Sequence, residues 1–143
     1  MAEILNDFPV KATAANVFQA VSTPQGLDAW WTLRSSGQAA TGNEYELWFG
    51  PKHDWRAVVA HCVADREFEL QLTDADPDWV GTHVGFVLAE NAGVTEVRFY
   101  HRGWPEANEH YRISCYCWPM YLRLLRRYLE HGEIVPYADR LDV

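Results

Sequence analysis

The chain has 143 residues, 48% of them hydrophobic, with 12 Lys and Arg against 20 Asp and Glu and a formal net charge of −8. That composition fits one folded domain, residues 1–143, and argues against disorder. It also disfavours a nucleic-acid partner, which needs clustered cations; the one basic cluster, Arg123, Arg126 and Arg127, sits in a helical stretch with Glu130 and is expected as a solvated face. No apolar run reaches the roughly 18 residues of a membrane span. Met1 to Val10 carries Glu3 and Asp7 without a long apolar core, so no secretory leader is expected there. The cysteines, Cys62, Cys115 and Cys117, are odd in number and poorly spaced for a helical bridge, which points to a reducing cytoplasm.

Taken in chain order, Ile4–Val10 is expected as a first strand. Thr13 caps a short helix over Ala14–Val21, and Thr23-Pro24 opens a second that ends near Trp30, with proline at a tolerated first position. Arg34–Ala39 is a strand candidate. After the turn Thr41-Gly42-Asn43 comes Glu44–Phe49, with Tyr45, Leu47 and Phe49 on one face. Trp55–Ala64 is apolar on both faces, which leaves its register open. Glu67–Thr73 alternates, with Phe68, Leu70 and Leu72 inward; Thr82–Glu90 turns Val84, Phe86 and Leu88 inward. Asn91-Ala92-Gly93 is a turn, and Val94–Gly103 follows with Val97, Phe99 and His101 on one face. Short turns between these strands imply an antiparallel meander.

The last third is expected as one long helix over Glu106–His131, stopped by Gly132. Tyr111, Ser114, Cys115, Trp118, Leu122, Leu125 and Leu129 form its main apolar stripe, and Cys117, Tyr121, Leu124 and Tyr128 a flanking one. Pro119 removes a backbone donor inside it, so a kink or a break into two helices is expected. The order of elements is that of an α+β protein, with a curved antiparallel sheet of about six or seven strands around one long C-terminal helix, plus two short helices. A gap between sheet and helix is a natural ligand cavity.

Several segments resemble one family. Pro9 to Val21, Thr23-Pro24-Gln25-Gly26-Leu27 with Trp30-Trp31-Thr32, Gly103-Trp104, and Trp118, Leu122, Leu125, Leu129 and Gly132 resemble, in order and spacing, the START/Bet v 1-like (SRPBCC) superfamily with its helix-grip fold. Within it they resemble the bacterial branch related to activators of Hsp90 ATPase. Two departures stand out: Cys117 where glycine commonly precedes the helix tryptophan, and no prolines in the turn after Ala64. The resemblance implies the helix-grip fold. It implies little about function, because members include ligand carriers, cyclase-like enzymes and co-chaperone domains.

No metal-ligand spacing, nucleophile elbow or cofactor motif is present, so no metal or cofactor is expected. His101, on an apolar strand face, is the weak catalytic candidate: burial would tune its pKa, and Glu106, Glu109 and Tyr111 follow it in sequence. Seven Trp, seven Tyr and six Phe are the stronger signal, since aromatics either line a cavity or fill it. The wall candidates are Tyr45, Trp55, Phe86, Phe99, His101, Trp118 and Tyr121; Trp30 and Trp118 also stand as core anchors. The first expectation is therefore binding of a small hydrophobic or aromatic molecule. The alternatives are a polyketide-cyclase- or hydrolase-like enzyme using His101, and a co-chaperone-type interaction module. Met120, Leu124 and Tyr128 could form an apolar face for a homodimer.

Overall fold

The computed structural model describes residues 2–143. Its strands are β1 (Ala2–Val10), β2 (Arg34–Ser36), β3 (Glu44–Trp48), β4 (Asp54–Val63), β5 (Glu67–Asp74), β6 (His83–Asn91) and β7 (Val94–Trp104). They form one antiparallel seven-stranded sheet in the order β1-β7-β6-β5-β4-β3-β2. Consecutive strands pair through short turns, while β1 pairs with the last strand. Helices α1 (Ala14–Ser22) and α2 (Pro24–Trp30) carry the chain from one sheet edge to the other, and α3 (Glu109–His131) packs on the sheet as the long helix. This is the α+β helix-grip arrangement expected.

Local signals explain most boundaries. The Thr13 and Thr23 side chains accept hydrogen bonds from Asn16 N and Gly26 N, so each threonine satisfies an otherwise unpaired amide at a helix start. Gly132 ends α3 in the left-handed conformation, φ 67°. On β5 the inward Phe68, Leu70 and Leu72 are buried as the alternation predicts.

Two expected boundaries need correction, and two readings left open by the sequence are narrowed. Strand β2 stops at Ser36 rather than Ala39: Gly37 has φ +146°, and a Cβ there would meet the Tyr45 ring at 2.6 Å, so the chain crosses that ring and leaves the sheet. Helix α3 begins at Glu109 rather than Glu106, because the Asn108 side chain caps it by accepting from Tyr111 N at 2.9 Å. The break at Pro119 does not occur; α3 is continuous, with buried Trp118 and Leu122 anchoring the turns on either side. Strand β4 faces Ala57 and Val59 inward, and a register shift between Val59 and His61 then turns Cys62 toward the core. That bulge is why simple alternation could not resolve its faces.

Candidate functional site

Between α3 and the sheet lies a cavity of about 240 Å³. Its wall is built by five parts of the chain. The end of α2 supplies Trp31, and the β3–β4 hairpin supplies Phe49, His53 and Trp55. The β5–β6 loop contributes Asp76 and Trp79, helix α3 contributes His110, Ile113, Ser114, Cys117, Trp118 and Tyr121, and the C-terminal 3-10 helix (Tyr137–Asp142) contributes Tyr137.

The aromatic rings touch in a nearly continuous circuit. Trp31 lies 5.4 Å from both Phe49 and Trp118; Phe49 lies 5.0 Å from Trp55, Trp55 4.9 Å from Trp79, and Trp79 stacks on Trp118 at 6.1 Å. Such contacts add about 0.5–1.5 kcal/mol each beyond area burial, so the wall is stiff as well as apolar. Tyr121 and Tyr137 bring phenol groups. Burial, with nearby Tyr137, pushes the Tyr121 hydroxyl up to about 12, so it remains a neutral donor.

Of the residues expected at the wall, Trp55, Trp118 and Tyr121 line this cavity. Tyr45, Phe86 and Phe99 are buried in the core instead. Tyr45 spends its hydroxyl on the carbonyl of Ser22, and Phe86 and Phe99 pack on each other at 5.3 Å. They sit on the inward face as alternation predicts, but none of them lines the cavity.

His101 is fully buried and both ring nitrogens are occupied. The Trp118 indole N–H donates to Nδ1 at 3.1 Å. An indole cannot accept there, so Nδ1 carries no proton and Nε2 must donate, 2.9 Å from Thr82 Oγ1. The Thr82 hydroxyl then donates to the carbonyl of Trp79 at 2.6 Å. Burial, aided by the charge of His110, lowers the imidazole from 6.5 to about 3. His101 is thus a neutral strut that fixes two cavity tryptophans, a setting without the free nitrogen that acid–base work needs. Glu106 and Glu109 are exposed; the titratable groups that influence His101 are His110 and Asp78.

That pair was not anticipated. His110 Nδ1 lies 2.9 and 3.0 Å from the two oxygens of Asp78, and Asn108 Nδ2 donates to the same carboxylate at 3.3 Å. Burial pushes the Asp78 carboxyl up, but hydrogen bonds from His110 and Asn108 outweigh it and hold it below its ordinary value. His53 and Asp76 form a looser, more exposed pair at 3.8 Å on the same wall. The sequence signal was Asp76-Pro77-Asp78-Trp79, an acidic turn ending in an aromatic, and an Asn cap two residues before a histidine.

A broader hollow of about 910 Å³ lies on the opposite face of the sheet. Its charged side chains are largely paired: Glu69 accepts from Tyr100, from Arg102 at 3.0 Å, and pairs with His83 at 3.0 Å. Its lining mixes Phe99 and Tyr100 with these charged side chains and holds no tryptophan. Among the described residues no cluster of three or more His, Cys, Asp or Glu side chains is placed to hold a metal.

A long helix gripped by an antiparallel sheet, with an aromatic cavity between them, defines a helix-grip protein of the START/Bet v 1-like class. The model of the activator of Hsp90 ATPase homolog 1-like family matches residues 11–130, and the chain belongs to that family. No protein of curated function matches it. Among solved structures it is similar to the Aha1 dimer of Colwellia psychrerythraea, 28% identical over 93% of this chain and 99% of that one, with a TM-score of 0.84. Protein SSP2350 of Staphylococcus saprophyticus is 17% identical over 94% and 96%, TM-score 0.77. CalU16 of Micromonospora echinospora is 17% identical over 96% and 83%, TM-score 0.73. The last two likenesses concern the fold alone.

Proposed function

We propose that this protein binds a small apolar or aromatic molecule in the cavity between α3 and the sheet. The observation that carries this is the wall itself: Trp31, Phe49, Trp55, Trp79 and Trp118, each ring touching the next, around about 240 Å³ of space. A closed core would use the same residues to fill that volume, and an interaction module of the co-chaperone kind would need an exposed apolar face. The stripe expected to supply one does not: Leu124 is buried, and Met120 and Tyr128 are half-buried. Native mass spectrometry of protein purified from its host tests the proposal. A co-purified small molecule that is lost on Trp55→Ala supports it. An empty protein whose tryptophan fluorescence no apolar aromatic compound quenches would overturn it.

Two further points belong to the same reading. The three free cysteines suit a reducing compartment, which supports a cytoplasmic protein. The similar Colwellia psychrerythraea structure is a dimer, and we extend that assembly to this chain; a sedimenting mass of one 16.5 kDa protomer would contradict it.

A further inference from the structure

We propose that the His110–Asp78 pair is a proton-accepting site of the aromatic cavity, and that the ligand it recognises is an aromatic compound bearing an acidic hydroxyl. This rests on the cavity reading above and goes beyond it by naming the ligand chemistry.

An ionised carboxylate can only accept hydrogen bonds, so the contact with Asp78 at 2.9 and 3.0 Å requires a proton on His110 Nδ1. In the neutral tautomer of that ring the basic lone pair is on Nε2, which has no hydrogen-bond partner among the described residues. The ring is held in place on two further sides. It stacks on Trp79, centroids 5.8 Å apart and planes 24° apart, and meets Trp104 edge-on at 5.7 Å. A histidine fixed at Nδ1 by a carboxylate, free at Nε2 and placed on a cavity wall is the arrangement used for positioned proton transfer.

The surroundings select the ligand. Asp78 stands behind the imidazole, and Asp76 and His53 stand on the β4 and β5–β6 side of the cavity. Neutral His101 lies behind Trp79, and Tyr121 and Tyr137 supply neutral phenols on the remaining sides. A carboxylic acid would arrive already ionised and meet the charges of Asp76 and Asp78. An aromatic alcohol arrives neutral, places its ring among the tryptophans, and presents O–H to Nε2. In the transfer the O–H bond breaks and an Nε2–H bond forms. The ligand is left as an aryloxide beside an imidazolium whose second N–H is bonded to Asp78, so charge is conserved within the site.

The probe pair 4-nitrophenol and 4-nitroanisole reads this directly, because only the first has a proton to lose and only its phenolate absorbs in the visible. Below neutral pH, where free 4-nitrophenol is mainly protonated, the wild-type protein should bind it as the phenolate. It should also bind it about tenfold or more tightly than 4-nitroanisole, equivalent to one pKa unit or more of displacement. His110→Gln and, separately, Asp78→Asn should bring that ratio toward one and remove the visible band of the bound form. Wild-type protein that binds both compounds equally, with 4-nitrophenol still protonated, overturns this inference and leaves the cavity reading standing. Binding of neither compound by the wild type overturns both.

Discussion

His101 shows how a single buried side chain can look catalytic in sequence and be structural in space. The alternation of Val97, Phe99 and His101 placed it correctly on the inward face, but its partners Thr82 and Trp118 come from elsewhere in the chain. Its burial carries a pH consequence. Above about 6.5, the ordinary value for histidine, folded and unfolded chains both hold it neutral. Below that, the unfolded chain takes up a proton that the folded protein accepts only near 3, so stability falls as pH falls across that window, by about 1.4 kcal/mol per unit at most. Urea unfolding at about pH 7.5 and about pH 5 should show wild type losing about 2 kcal/mol more than His101→Gln. Equal losses in the two proteins would mean that His101 is not kept neutral by the fold.

Among the elements, α3 and the C-terminal segment carry the sharpest predictions. Proline inside a helix costs up to about 3 kcal/mol, partly through its missing N–H. Because packing keeps α3 continuous through Pro119, Pro119→Ala should restore the bond to the carbonyl of Cys115 and raise the melting temperature; a lowered one would show that the helix is shaped around the proline. Arg140 pins the last residues of the chain. Its guanidinium donates only to backbone carbonyls, those of Val135 at 3.0 Å, Thr32 at 3.2 Å and Asp28 at 2.7 Å, and the Tyr137 hydroxyl reaches the carbonyl of Phe49 at 3.1 Å. Arg140→Met should cost about 1–3 kcal/mol through unpaired carbonyls and make the cavity tryptophans more accessible to acrylamide quenching. Unchanged quenching would show that the segment covers nothing.

The same elements show what was legible in the sequence. Caps at Thr13 and Thr23, the stop at Gly132 and the alternation of β3, β5 and β7 are local signals, readable because each is set by neighbours within a turn or a strand. The end of β2 was not, because it depends on a Tyr45 ring eight residues beyond Gly37. The faces of β4 depend on a bulge. The C-terminal 3-10 helix has no apolar periodicity to announce it and is held by Arg140 and Tyr137 through carbonyls, most of them distant in sequence. The candidate site was half legible: aromatic content predicted the wall, and Trp55, Trp118 and Tyr121 fell on it. The His110–Asp78 contact spans 32 positions and exists only once the β5–β6 loop meets the start of α3.

For the whole molecule, the grip of sheet on helix leaves an aromatic-lined cavity at the end where α2, the β3–β4 hairpin, the β5–β6 loop and the C-terminal segment converge. The fold and the family are those of activator of Hsp90 ATPase homolog 1-like proteins, and the function proposed rests on that volume being a binding site. The indole N–H signals of the seven tryptophans test this most directly in solution, by NMR titration with a single-ring aromatic compound. Binding in the cavity should shift the signals of Trp31, Trp55, Trp79 and Trp118, which line it, more than that of Trp48 on the other side of β3. Shifts confined to Trp48, or no shifts at all, would contradict it.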